Sequence, residues 1–242
     1  MFKNNFFRDE TVFTFISNRQ WGNIDFRFDN RKETLKRRKK MVNFLDYRLN
    51  AIYEMDQVHG SKVEIIKTKS QKNIFPKTDA LVTNLKNILL MVKTADCFPL
   101  LFFDSEKKVV AVCHAGWRGA IQKIFLKTLL AMINHFSCKI TDIQIIIGPG
   151  ARECCFKHHH FLQEKLPEWE KFIKNEEDDK TLDVSAFIKE ELMAVGVKRK
   201  NIHDLKICTV CNKNYFSHFR SLRQNEPEGR FATIIGLKKN GD

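Results

Sequence analysis

From Phe98 to Phe103 the chain is continuously apolar, residues 104–108 (DSEKK) are polar, and Val109 to Cys113 is apolar again. Two short apolar runs across a polar turn predict a β-hairpin buried on both faces. In an antiparallel pair, opposed residue numbers sum to a constant. A turn centred near Glu106 therefore sets Cys97 opposite about residue 115, beside His114, although the two lie far apart in the chain. Downstream, Ile121, Ile124, Phe125, Thr128, Leu129 and Met132 recur at helical spacing and predict an amphipathic helix from Ala120 to Phe136. Gly116 and Gly119, in the connection between strand and helix, allow close backbone approach. The helix N-terminus would face the Cys97/His114 end of the sheet, a favourable place for an anion.

Elsewhere the pattern predicts strands at Glu10–Ile16, Asn50–Val58, Lys62–Lys67, Ala80–Thr83, Ile88–Val92, Ile143–Ile147, Leu205–Cys208 and Phe231–Gly236. The second and third read as a pair around QVHG (57–60), which places His59 at the mouth of the sheet. Helices are expected near 32–48, at His158–Leu166 and at Asp183–Val195, with loops at 69–73 and 175–180. No repeat or linker divides the chain. Strands in irregular alternation with helices argue for α+β, one domain over 1–242 with mixed β-sheets packed against helices.

Length and composition narrow the class without naming it. The 242 residues can bury one substantial core, and 43% hydrophobic and 11% aromatic residues are globular values. A net charge of +13 raises nucleic-acid binding as a rival class. The densest basic run, 31–40, leads into an apolar stripe of Leu35, Val42 and Leu45, so it reads as the solvated face of a packed helix. No nucleic-acid motif accompanies the charge. No apolar run approaches the roughly 18 residues of a membrane span. Seven cysteines, an odd number, with no apolar core in MFKNNFFRDE, point to reduced thiols or ligands in a cytoplasmic protein.

His59, Cys97 and His114 make a His₂Cys set that suits Zn²⁺ or copper with an open position. The same residues suit Cys–His nucleophilic catalysis, or a buried free cysteine beside hydrogen-bonded histidines. Asp96 adjoins Cys97 and either orients a ligand, serves as a base or stabilises a turn; Asp79 is a similar candidate. Arg118, Arg220 and Arg230 are candidate phosphate clamps, because planar guanidinium binds oxyanions bidentately. Cys208 and Cys211 have redox-pair or half-zinc-site spacing, and Cys154-Cys155 would complete four thiols. His158, His159 and His160 are expected to begin a surface helix.

Several motifs together resemble the YfiH family, also called the laccase-domain or polyphenol oxidase family. They are FISNR (15–19), QVHG (57–60), DALVT (79–83), TADCFP (94–99), HAGWRG (114–119), GP (148–149) before CC (154–155), CT (208–209), FS (216–217) and GR (229–230). Their order agrees along almost the whole chain. The resemblance implies a purine nucleoside phosphorylase with associated adenosine deaminase activity, acting on adenosine, inosine and methylthioadenosine with inorganic phosphate. It places the metal on His59, Cys97 and His114; Asp96 and Arg118 join Cys97 and His114 as candidate catalytic residues. Arg19, Gly116, Gly119, Arg220 and Arg230 then fall to substrate and phosphate. The chain departs from the family at Trp21 and Phe156, where a glycine and a tyrosine are usual, at GPGARECCF (148–156), where an Ile-Gly pair is missing, and at FSHFR (216–220), where one of two arginines is missing.

Rival expectations are a copper-dependent phenol oxidase, a Cys–His hydrolase of the kind seen in bacterial toxin deamidases, a peptidoglycan-precursor editing factor and a basic nucleic-acid binder. A single His₂Cys site lacks the additional coppers that a multicopper oxidase needs. Monomer and homodimer are both open.

Overall fold

The computed structural model describes residues 6–69 and 72–238, so Ser70 and Gln71 of the expected 69–73 loop lie outside the described residues. The first half runs β1 (Val12–Ile16), α1 (Arg31–Phe44), β2 (Ile52–Met55), β3 (Val63–Ile66), β4 (Ile74–Phe75), β5 (Ala80–Thr83), β6 (Leu89–Thr94), β7 (Phe98–Asp104) and β8 (Val109–Ala115). Then come α2 (Trp117–Ile121), α3 (Ile124–Phe136), β9 (Ile143–Ile147), β10 (Lys157–His158), β11 (Ile173–Asn175) and β12 (Lys180–Leu182). The chain closes with α4 (Val184–Ala194), β13 (Ile202–Asp204), α5 (His218–Gln224) and β14 (Phe231–Leu237).

One large sheet has the order β1-β14-β6-β2-β4, the other β13-β9-β7-β8-β5-β3, and a small sheet has β10-β12-β11. β2 runs parallel to β6 and β4, β3 to β5 and β13 to β9, while the other neighbours are antiparallel. This is the expected α+β class with mixed sheets.

The period-2 alternation of a strand explains the layers. Leu100 and Phe102 pack with Phe125, Leu129 and Phe187 of α3 and α4. Leu101 and Phe103, on the opposite face of β7, pack with Val92 and Ile235 of the other large sheet. The six-stranded sheet is thus covered by helices on one face and by a sheet on the other, which is why its strands are continuously apolar. Met41 and Val42 of α1 cover the outer face of the five-stranded sheet through Phe15, Met91 and Ile234. No described helix is long and apolar enough to cross a membrane.

The structure corrects five local expectations. β2 and β3 are not a pair: they belong to different sheets, so QVHG and the turn after it cross from one sheet to the other. The helix expected over Ala120–Phe136 begins at Trp117 and breaks at Lys123, whose φ of 53° is left-handed. Only α3 keeps the apolar face that the spacing revealed. α1 stops at Phe44 instead of reaching 48, and Arg38 joins its buried face. There the guanidinium meets Glu54 of β2 at 2.6 Å and 3.1 Å, and Lys93 meets the same carboxylate at 2.7 Å. The helix expected over His158–Leu166 is β10 followed by a 3₁₀ turn at Leu162–Lys165. Finally, the strand expected at Leu205–Cys208 lies earlier, at Ile202–Asp204, and Cys208 makes an isolated bridge to Gly150.

Candidate metal centre

In β7 and β8, Phe98 pairs with Ala115 and Pro99 with His114. The pair sum is one greater than a turn centred on Glu106 gives, so Cys97 stands opposite Gly116. A Cβ at Gly116 would lie 2.6 Å from Cys97 Sγ and 3.2 Å from His59 Cδ2. The position has an ordinary φ of −75°, so glycine is needed there for space and not for conformation. His114 shares a strand face with Val110 and Val112, the face turned to the second sheet.

Ala80 pairs with Cys113, so the next residue outward, Asp79, lies beside His114. Asp79 is fully buried and serves both histidines. Its Oδ1 is 2.8 Å from His114 Nδ1 and accepts the His59 amide at 3.0 Å. Its Oδ2 accepts the amides of Gly60 at 2.8 Å and Val58 at 3.3 Å. These amide bonds hold the left-handed backbone of His59, φ 59°, at the end of QVHG. Burial raises the Asp79 pKa, but the hydrogen bond and charge of His114 and the amides outweigh it and keep the carboxyl below its ordinary value. An ionised carboxylate only accepts, so His114 carries a proton on Nδ1 and presents Nε2 to the site.

The donor atoms of His59, Cys97 and His114 all lie within 4.8 Å of one another. The two imidazole rings are 4.7 Å apart, edge to face. Burial opposes ionisation of Cys97, yet the charge of His114 and hydrogen bonds from both histidines bring the thiol down to about 6. Burial likewise lowers His114, while the Cys97 charge and the Asp79 hydrogen bond raise it to about 9. The two histidines thus favour the Cys97 thiolate, the form that binds metal or attacks carbon. Two imidazoles, a thiolate and an open side fit Zn²⁺ or copper, and the carboxylate behind His114 matches the usual support of a metal-bound histidine.

The open side faces a cavity of about 530 Å³. Phe156, His158 and Phe219 form an aromatic wall, with rings about 5.5 Å apart. Arg27, Lys93, Arg118 and Arg230 also line it, against one carboxylate, Asp96. Arg118 is exposed, stacks on Trp117 at 4.0 Å, and has no carboxylate partner among the described residues. Arg27, Lys93 and Arg230 are paired with Asp25, Glu54 and Glu228.

Asp96 lies next to Cys97, but its oxygens accept from Thr209 Oγ1 at 2.6 Å, Ser217 Oγ at 3.1 Å and the Phe219 amide at 2.8 Å. It ties the Thr209 turn and the start of α5 to its own loop beside the cavity. Arg220 is buried, and its guanidinium meets the carbonyls of Thr209, Val210 and Tyr215 and the Glu226 carboxylate. With its donors so engaged, it braces a loop and does not face the cavity. Arg19 pairs with Glu226 at 2.7 Å and lies over Phe216, also outside the cavity lining. A Cβ at Gly119 would stand 3.3 Å from the carbonyls of Gly60 and His114, so that glycine keeps the first turn of α2 tight against QVHG. The three consecutive histidines are all exposed; His158 packs against Phe156 and Phe219, and His160 also lines the cavity. Sequence reasoning missed the wall-forming roles of Phe156 and Phe219 and the cations Arg27 and Lys93.

The family described as multi-copper polyphenol oxidoreductase laccase matches residues 16–238. The chain belongs to that family, the YfiH family. A purine nucleoside phosphorylase of Clostridium acetobutylicum is 31% identical, over 96% of this chain and 94% of that protein. An adenosine deaminase from an unknown prokaryotic organism is 30% identical over 75% of the chain and 73% of its own length. A human purine nucleoside phosphorylase is 26% identical, and the alignment spans 43% of its length. Among solved structures, YlmD of Geobacillus stearothermophilus superposes with a TM-score of 0.87 at 23% identity, covering 95% of this chain and 93% of that one. YfiH of Bacillus licheniformis gives 0.85 at 24%, covering 94% and 93%. At those identities the structures speak for the fold.

Proposed function

We propose that this protein is a metal-dependent purine nucleoside phosphorylase with adenosine deaminase activity. The reading rests on the convergence of His59, Cys97 and His114 at the floor of a cation-lined, aromatic-walled cavity, in a chain whose relatives carry those names. A Zn²⁺ or Cu²⁺ ion held there would supply Lewis-acid polarisation of an oxygen.

The chain's own groups do the rest. Asp79 holds His114 and His59 in place, and Phe156 and Phe219 offer ring faces to a purine. Arg118, without a competing carboxylate, binds phosphate, with Arg230 also in the cavity lining. In phosphorolysis a phosphate oxygen bonds to the ribose anomeric carbon as the bond to the base nitrogen breaks, giving ribose 1-phosphate and free base. The long-helix dipole expected to hold phosphate is absent, because α2 is only five residues long, so anion binding falls to the arginines. Seven free thiols suit a reducing, cytoplasmic setting.

Adenosine, inosine and methylthioadenosine, each with and without phosphate, test the reading in metal-replete protein. Phosphate-dependent base release is expected. No release from any of the three would overturn it. One observation favours a second reading: Cys97 Sγ lies within 4.8 Å of both histidine donor atoms, the arrangement by which a Cys–His hydrolase activates its thiol. In that case iodoacetamide would abolish turnover and chelators would not.

A further inference from the structure

Cys154, Cys155, Cys208 and Cys211 come together at the surface, with all four Sγ atoms within 4.8 Å of one another. Cys211 Sγ is 3.3 Å from Cys155 Sγ and 3.8 Å from Cys154 Sγ. A tetrahedral Zn²⁺ with Zn–S bonds of about 2.3 Å needs sulfurs about 3.8 Å apart. A disulfide needs about 2.05 Å, and all four thiols are free.

The backbone holds the two cysteine loops against each other. The Gly150 amide donates to Ile207 O at 3.1 Å, and the Thr209 amide returns to Gly150 O at 3.0 Å. The turn that follows is closed by Asn212 N to Cys208 O at 2.9 Å. Inside that turn the amides of Val210 and Cys211, with that of Arg152 from the other loop, donate to Cys208 Sγ. Amides aimed at sulfur support a bound metal thiolate, because they stabilise charge that a neutral thiol does not carry.

We propose that Cys154, Cys155, Cys208 and Cys211 form a second, closed zinc site, structural and separate from the His59/Cys97/His114 centre. An all-sulfur tetrahedral set selects zinc or iron, and four protein ligands leave no position for substrate. On binding, each thiol gives up its proton to solvent and its sulfur lone pair bonds to the ion. The site would act as a brace. Thr209, inside the Cys208–Cys211 turn, donates to Asp96, and Asp96 O accepts the Ala151 amide at 2.7 Å just before Cys154-Cys155. Zinc would therefore fasten both loops that hold the residue next to Cys97.

Elemental analysis of full-length protein purified under reducing conditions, in a Cys97→Ala background, isolates this site from the first. One zinc ion per chain is expected to remain, and adding Cys208→Ala and Cys211→Ala is expected to remove it. Should the triple variant fail to fold, Co²⁺ added to zinc-stripped Cys97→Ala protein gives a second readout. Sulfur-to-cobalt charge transfer with intense tetrahedral d–d bands supports four thiolates. Absence of zinc from the Cys97→Ala protein together with no such spectrum overturns the proposal. Iron in place of zinc, or a Cys155–Cys211 disulfide in protein kept reduced, overturns it as well.

Discussion

Asp79 accepts from the His59 and Gly60 amides and from His114 Nδ1, so a change there acts on two proposed ligands at once. Asp79→Asn keeps the shape but removes the negative charge that fixes the His114 tautomer. A loss of about 10–100-fold in metal affinity is expected, the range for removing a partner behind a ligand. Competition with a zinc indicator would measure it, and unchanged affinity would make Asp79 purely structural. Arg118→Ala should leave metal content intact and raise the phosphate KM several-fold, because the cavity keeps Arg230 but loses its unpaired cation. Steady-state kinetics against phosphate would show this, and an unaltered KM would assign Arg118 to the Trp117 stack alone. Cys97 and His114 were legible in the sequence because hairpin pairing is simple arithmetic. Arg220 was not, because its partners are loop carbonyls, which leave no periodic trace.

At the scale of elements, α1 owes its seat to a buried ion cluster as well as to Met41 and Val42. Glu54 accepts from both Arg38 and Lys93, and all three side chains are less than a tenth exposed. Burial raises the Glu54 pKa, but the Lys93 charge and the Arg38 hydrogen bonds hold it below the ordinary 4.5. A depressed carboxylate contributes stability above its unfolded pKa and loses it as pH falls through its folded pKa. Glu54→Gln should therefore destabilise the protein by about 3–5 kcal/mol at pH 7, the usual effect of leaving buried charge unpaired. The gap from wild type should narrow as the solution is acidified below about pH 4.5. Urea melts at several pH values would check both, and a gap that is constant with pH would contradict the assignment. Hydrophobic periodicity revealed α3 and the β7–β8 hairpin, since each has one strong pattern. It misread β2 and β3 as partners because adjacency in sequence says nothing about a chain that crosses between two sheets.

At the scale of the whole molecule, two mixed sheets share one apolar interface, and their loops meet where β2 and β8 end and β5 and β7 begin. That meeting brings His59 from the connection between the sheets to Cys97 and His114 at the mouth of one of them. The α+β class was legible from irregular strand and helix alternation. The four-layer stacking was not, because an apolar run buried under helices looks the same as one buried under a sheet.

Cys97 is proposed as a metal ligand in a nucleoside phosphorylase site. The most direct measurement is metal content and phosphate-dependent adenosine turnover on one sample of folded Cys97→Ser. A hydroxyl is a far poorer ligand than a thiolate for a borderline-soft ion. One metal ion fewer per chain than in wild type is expected, with turnover lost alongside it. Unchanged metal content with turnover abolished would make Cys97 the nucleophile and not a ligand.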